Sequence, residues 1–172
     1  MLLCQTQVEL LENLNQICLE TLQEKSRMVV AISGLCGSGK STLGKFIRKQ
    51  GFGDFKPYQI AVIDDNVMSL NLFLVRPKIR YNAPPPPPPN ISDNLKPFKK
   101  FLPPYVKIIF YVSANLQRIE FADALIILRI RDEIRLQRLQ KRENNNQERI
   151  QSLMGNALNI DIPFTYALCL KN

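Results

Sequence analysis

The chain has 172 residues, 23 Lys and Arg against 15 Asp and Glu, a formal net charge of +8, and no histidine. This length suits one domain, residues 1–172, with a sizeable core, and the charge favours an anionic partner, either a phosphorylated small molecule or a nucleic acid. The missing histidine excludes Ser-His-Asp and Cys-His catalysis and zinc sites of the His/Cys type.

The N-terminal segment, residues 1–27, is predicted to be a lead-in helix that packs against the domain. Apolar residues recur at three- and four-residue steps between Val8 and Leu22, as on the buried face of an amphipathic helix. The segment has no basic stretch ahead of an apolar run, so it does not predict a secretory leader. A partner-binding helix is the alternative interpretation.

Five short apolar runs predict a parallel sheet that is buried on both faces. They are Met28–Ser33, the run within YQIAVIDDN that starts at Tyr58, Val106–Val112, Asp123–Ile130 and Thr165–Leu170. Helical or irregular connections separate these runs. The order predicts an α/β three-layer sandwich built on a five-stranded parallel sheet.

A glycine-rich stretch follows the first run and opens a predicted helix. Residues 34–41, GLCGSGKS, satisfy G-x-x-x-x-G-K-[ST] at every fixed position. Glycine lets successive N–H groups turn inward around an anion, and the helix that begins near Lys40 directs its unpaired N–H groups at the same anion. The stretch therefore predicts a binding loop for a nucleoside triphosphate, with eight candidate residues: Gly34, Cys36, Gly37, Ser38, Gly39, Lys40, Ser41 and Thr42.

Individual residues of this loop have distinct predicted roles. Lys40 bridges the β- and γ-phosphates of ATP, and the Ser41 hydroxyl is a ligand of Mg²⁺. Thr42 follows directly and is placed near the α-phosphate. Cys36 occupies a variable position of the motif and is either a tolerated small residue or a redox-sensitive thiol.

Two acids end the second apolar run, at the sheet edge where α/β proteins bind their ligands. Either Asp64 or Asp65 can accept the proton of an attacking hydroxyl or hold the Mg²⁺ shell, and Asp64 is the candidate metal ligand. The alternative is a pair of turn-forming residues that caps the next helix.

A proline-rich insertion is predicted over residues 82–104. Its six consecutive prolines, Pro84–Pro89, indicate a polyproline II rod. We interpret the rod as a stiff surface insertion, and the alternative is a ligand for an SH3-type partner. Four residues before it either contact an anionic acceptor or are simply solvated: Arg76, Lys78, Arg80 and Tyr81.

An arginine-rich, lid-like helix is predicted over residues 131–149. Four arginines lie at i, i+4, i+7 and i+11, which places their guanidiniums on one helical face: Arg131, Arg135, Arg138 and Arg142. Arginines that arrive from a mobile segment can neutralise a phosphoryl group in transfer. Arg138 and Arg142 are therefore catalytic candidates together with Lys40, and the alternative is a solvated helix face.

The four cysteines and the hydropathy indicate a cytoplasmic protein. Cys4, Cys18, Cys36 and Cys169 have no C-x-x-C spacing and are typical of reduced thiols, most of them buried. No apolar run approaches the roughly 20 residues that cross a bilayer, so we expect no membrane segment.

The stretches VVAISGLCGSGKSTLGKFI, AVIDDN and the arginine-rich segment through QER together resemble the phosphoribulokinase, uridine kinase and pantothenate kinase group of P-loop kinases. The resemblance implies a P-loop NTPase fold, triphosphate and Mg²⁺ at Lys40 and Ser41, and an acid at Asp64 or Asp65. It also implies a lid that carries Arg138 and Arg142 and continues to Arg149. The chain departs from the pattern at Ser113, where many of these kinases carry an acid, and at Glu143, where the lid pattern has Asp.

The leading hypothesis is Mg²⁺-dependent transfer of a phosphoryl group from ATP to a hydroxyl of a small metabolite such as a nucleoside. The competing hypothesis is a nucleotide-binding switch protein with slow or no hydrolysis. The absence of an acid after KIIFYV and of an N-K-x-D segment argues against a GTPase. Nucleic-acid binding is the weaker alternative, because the positive charge concentrates on the predicted lid and no nucleic-acid module is recognised.

Overall fold

A computed structural model describes residues 1–64, 67–71, 75–81, 93 and 95–171. Asp65 and the rod Pro84–Pro89 lie outside these described residues. Within them the chain forms eight strands and five α-helices: β1 Leu2–Cys4, α1 Gln7–Glu24, β2 Met28–Gly34, α2 Lys40–Gln50, β3 Ile60–Asp64, β4 Val67–Leu70, β5 Lys78–Arg80, α3 Lys96–Lys99, β6 Ile108–Val112, β7 Ala122–Arg129, α4 Asp132–Arg142, α5 Gln147–Met154 and β8 Phe164–Lys171.

The strands form one sheet in the order β1-β8-β7-β2-β6-β3-β4-β5. The first six run parallel, and β4 and β5 add to the edge at β3 in antiparallel pairs. The predicted count of five strands is therefore wrong, although each of the five apolar runs is a parallel strand. The additional strands β1, β4 and β5 have only three or four residues each. Runs this short are too brief to establish a hydrophobic period.

Both faces of the sheet are covered, but by different kinds of structure. On one face α1 and α2 pack Leu10, Leu14 and Ile47 against the sheet. On the other face the covering residues come largely from short elements and irregular connections, such as Phe98 of α3. The connection between β6 and β7, residues 113–121, contains only a 3-10 turn, because it is shorter than the dozen or so residues that a helical crossover takes.

The N-terminal segment is more than the predicted lead-in helix. Strand β1 pairs in parallel with β8, which places Leu3 opposite Cys169, so the segment extends the sheet itself. Helix α1 then begins where the Thr6 hydroxyl accepts a hydrogen bond from the N–H of Glu9. None of the helices in the described ranges is long and apolar enough to span a membrane.

The predicted single helix over residues 131–149 is two helices, α4 and α5. Asn144 and Asn145 lie between them with φ of 50° and 59°, a left-handed conformation that asparagine adopts more readily than most residues. The next residue, Asn146, then caps α5 by accepting a hydrogen bond from the N–H of Arg149. Three consecutive asparagines therefore end one helix and start the next.

Candidate nucleotide-binding site

A cavity of about 780 Å³ opens at the carboxyl ends of the parallel strands. Its floor is the loop between β2 and α2, which continues into the first residues of α2. The ends of β3 and β6 contribute Asp64 and Val112, and α4 contributes Arg138 and Arg142. Because β2 lies in the middle of the sheet, the loop has ligand-accessible space toward the strands on either side.

The loop backbone requires glycine at the end of β2. Gly34 has a φ of 153°, and a Cβ at this position would lie 2.6 Å from the Leu128 carbonyl oxygen and 2.7 Å from Ser38 Oγ. Any larger residue would therefore push the loop away from β7. The first glycine of the motif is thus explained by a close approach between loop and sheet.

The first turn of α2 is arranged to receive an anion. Gly39 precedes the helix with a φ of 100°, no side chain caps the first turn, and the turn contains no acidic residue. The buried Ser38 hydroxyl also lines the cavity and has no hydrogen-bond partner among the described residues. Uncapped N–H groups at a helix N-terminus, together with a hydroxyl in need of a partner, fit a phosphate.

Lys40 lies folded over the loop. Its Nζ donates hydrogen bonds to the carbonyl oxygens of Gly34, at 2.7 Å, and of Leu35, at 3.0 Å. Ser41 and Thr42 follow on the first turn of α2, are exposed, and line the cavity. Seven of the eight predicted loop residues, Cys36 to Thr42, therefore line one cavity, whereas Gly34 does not line it.

The oxygen ligands fit a magnesium ion that is shared with phosphate. Asp64 ends β3 and lines the same cavity as Ser41. The described residues contain no group of three or more acidic or cysteine side chains that could hold a metal by themselves. Mg²⁺ commonly takes one or two carboxylates and completes its shell with substrate phosphates and water, so this sparse donor set suits it.

The two arginines predicted to act from a lid, Arg138 and Arg142, line the cavity from α4. Arg138 Nη1 donates to the Gly37 carbonyl oxygen at 3.2 Å, so it already touches the loop. Arg142 Nε donates to the Glu143 carboxylate at 2.6 Å, and Arg149 pairs with the same carboxylate at 2.7 Å without lining the cavity. Glu143, the departure from the kinase pattern, thus accepts a hydrogen bond from Arg142, which lines the cavity.

Arg135 has a role that its place on the predicted arginine face did not reveal. Its side chain is only 3% exposed. Its guanidinium donates to the carbonyl oxygens of Cys36, at 3.0 Å, and Leu153, at 2.6 Å. This arginine therefore fastens α4 and α5 to the loop instead of facing a ligand. Arg131 precedes α4 as its N-cap and does not line the cavity.

Several cavity residues were missed by the sequence interpretation. Ser113, Asn115 and Arg118 follow the carboxyl end of β6, and the rule that α/β ligands bind at this sheet edge could have found them. Gln7 offered no such signal, because its position depends on the pairing of β1 with β8. The proposed acceptor contacts on and beside β5 do not line the cavity: Arg76, Lys78, Arg80 and Tyr81.

A phosphate loop between the central strand of a parallel sheet and the following helix defines a P-loop NTPase. A family model described as an AAA domain matches residues 30–156, nearly three quarters of the chain. The chain belongs to this P-loop NTPase-like family, which includes kinases. No curated protein and no solved structure matches the chain. The match supports nucleotide binding, and β1 and α1 lie outside it.

The cysteines allow binding at the loop to be tested directly. Cys36 is half-buried in the cavity wall, whereas Cys4, Cys18 and Cys169 are buried. Burial raises the pKa of the Cys18 thiol, and the Asp123 carboxylate adds to this rise. Because the thiolate is the reactive form, a maleimide should label the native protein at Cys36 first. Saturating MgATP should slow that labelling by about tenfold or more.

Mass spectrometry of digests taken during the labelling reaction would measure the rate at each cysteine. The Cys36→Ser variant is the control and should show no fast labelling. Labelling at Cys36 that is indifferent to MgATP would contradict nucleotide binding at this loop.

Proposed function

We propose that the protein is an ATP- and Mg²⁺-dependent kinase that phosphorylates a hydroxyl of a small metabolite, in the manner of the uridine kinase group. One observation carries the proposal: Lys40, Ser41, Asp64 and two lid arginines line a single cavity. A loop alone is compatible with any P-loop activity. A carboxylate and further cations around the same space are what phosphoryl transfer to a hydroxyl needs in addition.

Each group has a task in this reaction. The first-turn N–H groups of α2, Ser38 and Lys40 bind the β- and γ-phosphates. Ser41 and Asp64 hold Mg²⁺, which when bound neutralises charge on the phosphate oxygens. Arg138 exchanges the Gly37 carbonyl for a phosphate oxygen, and Arg142, which lines the same cavity, is the second cation that neutralises the developing charge.

The transfer step conserves all atoms. The acceptor oxygen forms a bond to the γ-phosphorus while the bond from that phosphorus to the β–γ bridging oxygen breaks. The hydroxyl proton passes to a carboxylate of the Asp64 and Asp65 pair, and ADP leaves with the electron pair of the broken bond. The products are ADP and a phosphate monoester.

A panel assay tests the proposal. The purified chain is incubated with Mg²⁺, γ-labelled ATP and single hydroxylated metabolites, including nucleosides, sugars and their phosphorylated or carboxylated forms. We expect at least one acceptor to raise ADP formation and to carry the label. Fluorescent-nucleotide binding is measured in parallel. Binding without acceptor-dependent ADP would overturn the kinase and favour a nucleotide-dependent switch protein.

A further inference from the structure

The charges in the cavity are strongly unbalanced. Four of its lining side chains are cations, namely Lys40, Arg118, Arg138 and Arg142, whereas Asp64 is the only acid among the described lining residues. Three of the cations already contact acceptors within the protein, on the loop or on Glu143. Arg118 differs from them, because it makes no hydrogen bond or ion pair with any residue that the structure describes.

Arg118 is held in place by an ordered turn. Its residues Leu116–Arg118 form a 3-10 turn that starts when the Asn115 side chain accepts a hydrogen bond from the N–H of Gln117. Leu116, the first residue of the turn, and Ile119, which follows it, are completely buried in the core of the second sheet face. The backbone that carries the half-buried guanidinium is therefore anchored at both ends.

The connection that carries this turn leaves the sheet beside the candidate base. Asp64 pairs with Val112 at the carboxyl ends of β3 and β6, and the connection that leads to Arg118 starts at the next residue, Ser113. Ser113 and Asn115 line the same cavity. An acceptor whose hydroxyl lies near Asp64 therefore has polar groups and one unpartnered guanidinium within the same space.

We propose that Arg118 binds an anionic group of the acceptor, a phosphate or a carboxylate. This inference rests on the proposed kinase function and names its substrate class: a hydroxylated compound that also carries an anion, in place of a neutral nucleoside. A guanidinium presents a rigid fork of donors that matches two oxygens of either group. Nucleotide binding does not require this cation, since the loop, Lys40 and the lid supply donors for the triphosphate.

Matched probes separate the anionic group from the rest of the acceptor. The protein is saturated with Mg²⁺ and a non-hydrolysable ATP analogue, so that the loop is filled, and is then titrated with ribose, ribose 5-phosphate or ribonate. We expect at least one anionic probe to bind about tenfold or more tightly than ribose. Arg118→Gln should remove that preference, and Arg118→Lys should restore part of it. Lys45→Gln, at an exposed residue of α2 that does not line the cavity, should leave the preference and the analogue affinity unchanged.

The outcomes distinguish this inference from the kinase proposal. The inference is overturned if neither anion binds more tightly than ribose, or if the preference survives in Arg118→Gln. If acceptor-dependent ADP formation is unchanged in Arg118→Gln, the kinase proposal is retained and the proposed anionic substrate class is rejected. If Arg118 is needed for the preference for an anionic probe but no acceptor raises ADP formation, the anion site is retained and the kinase proposal is rejected. Tighter binding of ribose 5-phosphate indicates a phosphate on the acceptor, and tighter binding of ribonate indicates a carboxylate.

Discussion

Replacing Lys40 with Met is expected to lower acceptor-dependent turnover by a hundredfold or more, on the order of the effect of removing one preorganised donor to a developing anion. The Lys40 ammonium lies against the Gly34 and Leu35 carbonyl oxygens inside the loop, 2.7 and 3.0 Å away. It is therefore already in the cavity where charge develops. Steady-state ADP release, with and without acceptor, measures the loss.

A matched variant controls for the lost charge and for folding. Lys45 is exposed on the same helix and does not line the cavity, so Lys45→Met should keep turnover within about twofold. Thermal unfolding of both variants shows whether Lys40→Met has lost only function. Unchanged turnover in a folded Lys40→Met protein would contradict phosphoryl transfer at this loop.

The phosphate loop could be predicted from the sequence because all its essential residues are contiguous. Gly34, Lys40 and Ser41 need only local backbone geometry to face one anion, so their spacing carries the information. The central parallel strands were predictable for a related reason. Strands buried on both faces have continuous apolar runs, which stand out from their surroundings.

Other parts of the site depend on contacts that no local pattern contains. The arginine spacing on α4 placed Arg135 and Arg138 on one face. The chain folds the loop and α5 around Arg135, which is buried, and leaves Arg138 exposed. Gln7 reaches the cavity through the pairing of β1 with β8. The spacing of residues within a helix predicts which side chains share a face. Tertiary packing determines whether that face contacts the protein core, another element or a ligand.

The second large effect is expected at Asp64, which ends β3, and at Asp65, the next residue in the sequence. Asp64→Asn keeps the shape of the side chain but removes its basicity, and we expect turnover to fall by about 10²- to 10⁴-fold, as for loss of a general base. Nucleotide affinity without Mg²⁺ should be unchanged, because the loop and Lys40 make the phosphate contacts. Asp161→Asn, an exposed residue away from the cavity, is the matched control and should keep full turnover.

Asp65→Asn, made separately, identifies which acid acts. Full turnover in both asparagine variants would overturn the proposed chemistry, since no other acid among the described residues lines the cavity. The Mg²⁺ dependence then separates the two roles of the sensitive residue. Loss of a metal ligand raises the Mg²⁺ concentration at half-maximal rate, and excess Mg²⁺ recovers part of the turnover. Loss of the base lowers kcat at every Mg²⁺ concentration and leaves that midpoint where it was. Because Asp64 lines the cavity together with Ser41, a shifted midpoint in Asp64→Asn combined with a lower kcat in Asp65→Asn would divide the roles between neighbouring residues.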